Sequence, residues 1–189
     1  YGSSKVVIAI TDDGCKLDDR DFNSADQFAG WGYFEGFDLI TRGEEGADPE
    51  QMYMQGANHG TACAGVAAAE KDSVLTVGAA PGCRLLPIKW ESNGSSLFIS
   101  DAKLLAALDY LSDKADVMSN SWGRSPQSNW SQDVLDRIAE LAQNGGRRGK
   151  GIVFLWAAGN ENCPIAHSSN DAVPYTHGWQ YSDTDNEWQ

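Results

Sequence analysis

The sequence is short of positive charge and has no long apolar run. Its 189 residues include 14 lysine and arginine residues against 27 aspartate and glutamate residues, so the formal net charge is −13. A chain this acidic is poorly suited to bind nucleic acid, and we interpret its charge mainly as favouring solubility. No segment approaches the roughly 18 consecutive apolar residues that a membrane-spanning helix needs. The sequence therefore predicts neither a nucleic-acid partner nor a membrane span.

Cysteine is scarce as well, and its spacing predicts no metal site. The four cysteines are Cys15, Cys63, Cys83 and Cys163. They lack the paired spacing of zinc ligands, and they do not define the redox compartment. We expect Cys63 to be a small buried side chain, because free cysteine is among the most buried residue types. A nucleophilic thiol at this position stays open as an alternative.

What the sequence does contain is an alternation of strand and helix patterns. The β-branched run at 5–11 predicts a central buried strand, and Leu104 and Leu108 recur at helical spacing behind a predicted cap at Ser100. Pro87 argues against the strand predicted at 84–90, because proline cannot donate a ladder hydrogen bond. Strands that alternate with helices predict an α/β domain with a parallel sheet covered on both faces. Further strands are predicted at 36–40 and 84–90, at 116–123 together with the turn that follows the strand, and, buried, at 151–158. A second helix is predicted from about 131 to 142.

A histidine beside a run of small residues is the main candidate for chemistry. His59 lies between a glycine-rich loop and the alanine-rich segment 61–69, which predicts an imidazole on the first turn of a buried helix. An oriented imidazole with an ordinary pKa of about 6.5 suits proton exchange near neutral pH, so His59 is a candidate general base. From this stretch alone, a capping or core histidine is an equally good interpretation. A carboxylate that orients the ring and a donor for an oxyanion would decide between them.

Two strand ends supply groups of this kind. Asp12 ends the first predicted strand, and Asn160 follows the last one. In open α/β sheets, binding and catalytic sites are built at the carboxyl ends of the strands. Asp12, Asp13 and Gly14 also form a common turn sequence, so a plain turn is the alternative for Asp12.

Four motifs in a fixed order give the sequence a specific resemblance. They are ITDDG at 10–14, NHGT at 58–61 with CAG at 63–65, SNSWG at 119–123 and AAGN at 157–160. Together they resemble the subtilases, the family of subtilisin-like serine proteases with the chain order Asp, His, Ser, and they are most similar to its kexin and furin branch. The resemblance implies a three-layer α/β fold with a mostly parallel central sheet and helices on both faces. It also implies that residues 1–189 are the N-terminal portion of a single catalytic domain, incomplete in this chain.

The resemblance assigns catalytic roles. Asp12 would accept the Nδ1 proton of His59, and His59 would take the proton of a serine nucleophile and pass it to the leaving amine. Asn160 would offer its side-chain amide to the tetrahedral oxyanion. The substrate would be a peptide or protein, and the family favours a secreted or other extracytoplasmic location.

The resemblance also implies sites for substrate and metal. Asp13 matches an acid that lines the substrate pocket in the branch that cuts after basic residues. Asp21 matches a ligand of a structural calcium ion, with the loop at 70–75 beside it, and a surface loop without metal is the alternative. An exposed edge would pair with the main chain of an extended substrate. The residues of this edge are Ser121, Trp122 and Gly123.

The family's nucleophile is missing from the sequence. No Gly-Thr-Ser segment occurs, and Ser168, Ser169 and Ser182 do not lie in a strand-to-helix setting of small residues. We therefore expect a nicked enzyme whose catalytic serine is on a second chain that stays bound. Two alternatives remain open. One is a catalytically silent relative that binds extended peptides as a regulator, and the other is a hydrolase that uses Cys63.

Overall fold

The computed structural model describes residues 1–54, 57–73, 76–123 and 130–158, and the backbone of residues 181–182 and 187–188. The strands of its main sheet are β1 (Val7–Asp12), β2 (Gly32–Glu35), β3 (Asp38–Thr41), β4 (Arg84–Lys89), β5 (Val117–Asn120) and β6 (Val153–Trp156). The α-helices are α1 (Asn58–Ala68), α2 (Asp101–Leu111) and α3 (Gln132–Asn144), and short 3-10 helices cover Arg20–Phe22 and Pro49–Tyr53. A separate antiparallel pair consists of β7 (Tyr181–Ser182) and β8 (Glu187–Trp188).

Strand β1 is central in the sheet, whose order is β3-β2-β4-β1-β5-β6. It pairs in parallel with β4 on one side and with β5 on the other. A strand that is bonded on both sides and covered on both faces takes a continuous apolar run, as this segment does. The pairing confirms the predicted central strand and places its last residue, Asp12, at the carboxyl edge of the sheet.

The two faces of the sheet carry different helices. Val7 and Ala9 belong to the core that α2 and α3 cover, whereas Ile8 and Ile10 pack into the core that α1 covers. Successive side chains of a strand point to opposite faces, so these two cores lie on opposite sides of the sheet. The predicted three-layer arrangement therefore follows directly from the alternation along β1.

The caps and core residues of the helices match their sequence patterns. Ser100 Oγ accepts a hydrogen bond from the N–H of Lys103, which confirms the predicted cap of α2. Leu104 and Leu108 are fully buried, as their spacing predicts. Helix α3 starts directly after Ser131. Among the described residues, none of the helices combines the length and the apolar character needed to cross a bilayer.

The strand predicted at 36–40 is in fact the second half of a hairpin. Strand β2 pairs with β3 in an antiparallel ladder that places Glu35 opposite Asp38. Gly36 and Phe37 make the turn between them, and Gly36 has a φ of +59°, which glycine adopts at no steric cost. The sequence prediction missed β2 and started β3 two residues early.

Pro87 lies inside β4 without interrupting its pairing with β1. The N–H of Arg84 donates to Val6, just before β1, and the N–H of Trp90 donates to Asp12 at the end of β1. The N–H of Leu85 points to the other side of β4 and donates to Gln27. Because N–H groups alternate along a strand, the nitrogen of Pro87 also faces that other side. It falls between the Phe28–Leu85 bridge and the point where the β2 ladder begins, opposite residue 88.

The prediction of a buried strand at 151–158 is wrong in one respect. Strand β6 pairs with β5 only and is the last strand of the described sheet. Val153 and Leu155 are 56% and 52% exposed. Val153 pairs with Val117, which pairs with Ile8, so both exposed side chains lie on the face that carries α1. An apolar run indicates a strand, but it does not reveal that one face lies beyond the reach of α1.

Candidate active site

Asp12 and His59 meet at the carboxyl edge of the sheet. Asp12 ends β1, and its backbone oxygen accepts the N–H of Trp90, the residue directly after β4. His59 Nδ1 lies 2.8 Å from Asp12 Oδ1, and this oxygen also accepts the N–H of Asp13 at 2.8 Å. The Asp12 side chain is 2% exposed, whereas that of His59 is 60% exposed. A buried carboxylate therefore holds one nitrogen of an accessible imidazole, and Nε2 is the nitrogen left to exchange a proton.

The pKa values of the pair reflect this contact. The hydrogen bond to Asp12 raises the pKa of His59 above its ordinary value, and partial burial of the ring opposes the shift. Burial raises the pKa of Asp12, although the hydrogen bonds from His59 and from the Asp13 N–H act in the opposite direction. An ionised Asp12 is thus costly without its partner, which favours keeping the imidazole in place.

Asp13 caps the helix that carries His59. Its Oδ1 accepts the N–H of Gly60 at 2.7 Å, and its Oδ2 lies 3.3 Å from the N–H of His59. The residue before the helix, Ala57, has no side chain that can do this. The first N–H groups of a helix need outside acceptors, and a negative charge suits the positive end of its dipole. Asp13 therefore fixes the first turn of α1 against the end of β1.

A close backbone approach accompanies this cap. A Cβ added at Gly60 would lie 2.1 Å from the carbonyl oxygen of Gly14 and 2.7 Å from the Cβ of Asp12. Gly14 itself has a φ of +132°, in the region that favours glycine. Glycine at both positions lets α1 reach the strand end. The glycine-rich setting of His59 is thus explained by contact between the helix and the β1 loop.

Trp122 supports the strand end through its side chain. Its Nε1 donates to the backbone oxygen and to the Oγ1 of Thr11, both at 2.9 Å, and it is 9% exposed. Thr11 Oγ1 in turn donates to Asn120 Oδ1 at 2.6 Å. Thr11 and Asn120 lie in the motifs at 10–14 and 119–123, but no role was predicted for their side chains, because a hydrogen bond between neighbouring strands depends on the register. Ser121 and Gly123 follow β5 outside its ladder, and their predicted contact with substrate main chain stays a prediction.

Cys63 is the third side chain beside the pair. It lies one turn after His59 on α1, and its Sγ is 3.9 Å from the ring Nδ1. Burial raises the pKa of this thiol, the Ser121 hydroxyl lowers it and the charge of Asp12 raises it further. A raised pKa keeps the thiol protonated at neutral pH, which disfavours the alternative of a cysteine nucleophile.

The residues around Asp21 tie two loops together. Asp21 is 9% exposed, its Oδ1 lies 3.4 Å from the N–H of Thr76, and its backbone oxygen accepts the N–H of Glu70. Glu70 Oε1 accepts the N–H of Ser24 at 2.7 Å. Calcium takes six to eight oxygen ligands, and the groups of three close metal-binding side chains found among the described residues do not include Asp21. Asp21 as a calcium ligand stays a prediction.

Asn160, the predicted oxyanion donor, lies outside the described residues, as do Cys163, Ser168 and Ser169. Ser182 is described only in its backbone. Of the predicted site residues, the structure brings together Asp12, Asp13 and His59, and it places the Trp122 indole one residue away, against Thr11.

The comparison with protein families identifies the family to which the chain belongs. The sequence profile of the subtilase family matches residues 3–184. The chain belongs to the subtilase family. It is 36% identical over 170 residues to the "Calcium-dependent protease" of Trichormus variabilis, covering 83% of this chain and 23% of that protein. It is 32% identical over 184 residues to the "Dibasic-processing endoprotease" of Yarrowia lipolytica, covering 92% of this chain and 17% of that protein.

A solved serine protease structure confirms the predicted fold class. The Aeromonas sobria serine protease, solved in complex with its chaperone, superposes with a TM-score of 0.61 at 25% identity. The match covers 86% of this chain and 26% of the Aeromonas chain. This subtilase chain therefore spans less than a third of the length of these relatives.

Proposed function

We propose that this chain supplies the Asp–His part of a subtilisin-type serine endopeptidase that cleaves peptides or proteins. The observation that carries the proposal is the 2.8 Å contact between buried Asp12 Oδ1 and His59 Nδ1 on an accessible ring. Asp12 fixes the imidazole in the tautomer with the proton on Nδ1. His59 then takes the serine proton on Nε2 and returns it to the leaving amine, while Asp12 stabilises the imidazolium between the two steps.

The serine in this proposal comes from a segment outside residues 1–189, on a second chain that stays bound after nicking. The exposed apolar strip of Val153 and Leu155 supports a docked segment, because it lies on the same face of the sheet as α1 and His59. A segment that covers this strip would bury apolar surface and bring a hydroxyl to the side of the sheet on which the imidazole lies. Residues 1–189 are then the N-terminal portion of one catalytic domain.

Substrate recognition is assigned to the edge after β5 and to Asp13. The backbone of Ser121, Trp122 and Gly123 would pair with an extended peptide, while the Trp122 side chain stays in the core. Asp13 uses one acceptor site on each oxygen for the α1 cap, and a carboxylate has about four such sites. It can therefore also face a basic side chain of the substrate. The side-chain amide of Asn160 completes the proposal as the oxyanion donor.

A structural calcium ion is the proposed cofactor. The name of the Trichormus relative and the buried carboxylate of Asp21, beside Glu70 and Thr76, support it. Asp21 would supply one oxygen, and the ion would hold the two loops together. A calcium chelator should then lower the unfolding temperature of the protein, and Asp21→Asn should remove most of this sensitivity. Equal sensitivity in both proteins would place the ion elsewhere.

The peptidase proposal is tested by fluorophosphonate labelling of the native preparation, followed by intact-mass measurement of every polypeptide in it. We expect the label on a serine in a Gly-Thr-Ser segment outside residues 1–189, and no labelling in His59→Ala. Iodoacetamide, which attacks thiols, should leave the activity intact. A preparation that binds extended peptides but never takes the label would instead support a catalytically silent regulator.

A further inference from the structure

The loop at 91–98 contains a pair of residues that the proposed reaction does not use. It follows β4 at the carboxyl edge of the sheet, and residues 92 and 97 form an antiparallel bridge at its base. Asn93 and Gly94 lie between these two positions, and both are exposed. The main-chain nitrogen after an asparagine can attack the side-chain amide, and glycine leaves this nitrogen unshielded because it has no side chain. The contacts of the pair determine whether this attack is favoured.

Two N–H groups converge on the side-chain carbonyl of Asn93. Its Oδ1 accepts the N–H of Ser95 at 3.0 Å and that of Ser96 at 2.9 Å. These bonds fold the side chain back over the main chain that follows it, which is the direction of the Gly94 nitrogen. Donors aimed at a carbonyl oxygen stabilise the negative charge that develops when a nucleophile adds to its carbon. The amide of Asn93 is therefore activated for attack at Cγ.

The nitrogen of Gly94 has an acceptor for its proton. Its N–H donates to Ser92 Oγ at 2.9 Å. This hydrogen bond lies in the plane of the peptide and leaves the two faces of the nitrogen free. Gly94 has a φ of +87°, and a Cβ at this position would meet nothing within 4 Å. The nucleophile is thus open on the side from which Cγ can approach.

We propose that Asn93 is a site of self-catalysed deamidation through a succinimide ring. The Gly94 nitrogen loses its proton and forms a bond to Cγ of Asn93, while Nδ2 takes up a proton and leaves as ammonia. Water then opens the ring at Cγ to give aspartate, or at the main-chain carbonyl of residue 93 to give isoaspartate. Water is the only co-reactant, and no atom is oxidised or reduced.

Either product adds a negative charge to the loop, and isoaspartate also lengthens the main chain by one methylene. The loop is joined to the candidate site through Trp90, three residues before Asn93, whose N–H donates to the backbone oxygen of Asp12. The reaction therefore changes the charge at the edge of the sheet that carries the Asp12–His59 pair. It needs neither of these side chains and does not depend on the proposed peptidase.

The other Asn-Gly pair of the sequence, Asn144 and Gly145, is a control within the same chain. Asn144 ends α3, and the N–H of Gly145 donates to the backbone oxygen of Leu141 at 3.0 Å. A Cβ at Gly145 would lie 2.7 Å from the same oxygen, so this nitrogen is closely packed against the helix end. Folding should therefore slow the reaction at Asn144, whereas it should speed the reaction at Asn93.

The test incubates the native preparation in mildly alkaline buffer, which favours loss of the Gly94 proton. Peptide mapping by mass spectrometry follows the loss of ammonia at each asparagine, and enzymatic methylation counts isoaspartate. In the folded protein, Asn93 should react at least about 10-fold faster than Asn144, which is the order of effect of two hydrogen bonds on the oxyanion. In denaturant the two pairs should react at similar rates, because glycine follows both asparagines.

Ser92→Ala removes the acceptor of the Gly94 N–H and should slow the reaction of the folded protein about 5-fold, the effect of one hydrogen bond. Its rate in denaturant should not change. Ser95→Ala is the matched control, because it keeps the main-chain N–H that binds Asn93 and should keep the folded-state rate. Equal rates at Asn93 and Asn144 in the folded protein, or a rate at Asn93 that rises on unfolding, would overturn the proposal.

Discussion

Gly60 lies so close to the carbonyl of Gly14 that no side chain fits between them: a Cβ at position 60 would lie 2.1 Å from that oxygen. The contact joins the first turn of α1 to the loop after β1. Asp12 and His59 stand on the two sides of this junction. Their 2.8 Å contact therefore depends on a residue that has no side chain of its own.

We expect Gly60→Ala to destabilise the fold by at least about 1–3 kcal/mol, the usual cost of overpacking, because backbone atoms would have to move. Gly65→Ala is the matched control, since Gly65 lies in the same helix and a Cβ there meets nothing within 4 Å. Alanine at that position should stabilise the helix by about 0.5–1 kcal/mol. Denaturant unfolding measures both changes. Similar losses in the two variants would disprove the close contact.

Asp13→Ala should weaken the start of α1 by about 0.5–2 kcal/mol, because the helix loses the acceptor for two N–H groups. Asp13→Asn should recover part of this loss, since the amide oxygen still accepts. Asp18→Ala is the control, because the Asp18 side chain forms an exposed ion pair with Lys16 and its loss should have little effect. Unfolding curves of the three variants test the ranking, which fails if Asp13→Ala matches Asp18→Ala.

Asp12→Asn should lower the pKa of His59, because the largest cause of its raised value is the hydrogen bond to Asp12. A histidine whose pKa is raised by folding stabilises the protein fully below its unfolded pKa of about 6.5. This contribution is lost as the pH rises through the raised folded value. NMR titration of the imidazole measures the shift. An unchanged pKa in Asp12→Asn would show that the carboxylate does not set the protonation of the ring.

If the proposed serine-bearing chain docks on β6, Leu155→Glu should weaken its binding, because the substitution places a charge in the apolar strip of Val153 and Leu155. Phe37→Ser is the control, since Phe37 is 72% exposed at the hairpin turn on the opposite edge of the sheet. Co-purification of the two polypeptides at increasing salt and dilution gives the readout. Retention of the partner by Leu155→Glu to the same extent as by Phe37→Ser would rule out docking at β6.

The parts of the fold that sequence patterns predicted are those governed by local periodicity. The apolar run of β1 and the leucines behind Ser100 report burial within one element, and both predictions are confirmed. Strand β2 was missed because its residues, Gly32 to Glu35, have no distinctive alternation and are recognised as a strand by their pairing with β3 and β4. Likewise, the exposed face of β6 depends on which other elements reach it.

The candidate site shows the same division. Motif order suggested that Asp12 and His59 would meet, and the parallel sheet places them within a hydrogen bond. The role of Asp13 as a helix cap could not be predicted, since it joins residues 46 and 47 positions apart. The proximity of Cys63 follows from its position one turn after His59.

The proline in β4 has a consequence for how the molecule opens. The hairpin of β2 and β3 is attached to β4 through only two paired positions, residues 32 and 33, because the ladder starts after Pro87. The pairing of β1 with β4, in contrast, runs through six positions. In hydrogen exchange, the hairpin amides should therefore become accessible in local fluctuations that leave β1 closed. The hairpin at the edge of the sheet can therefore open locally while Asp12, at the end of β1, stays in contact with the His59 imidazole.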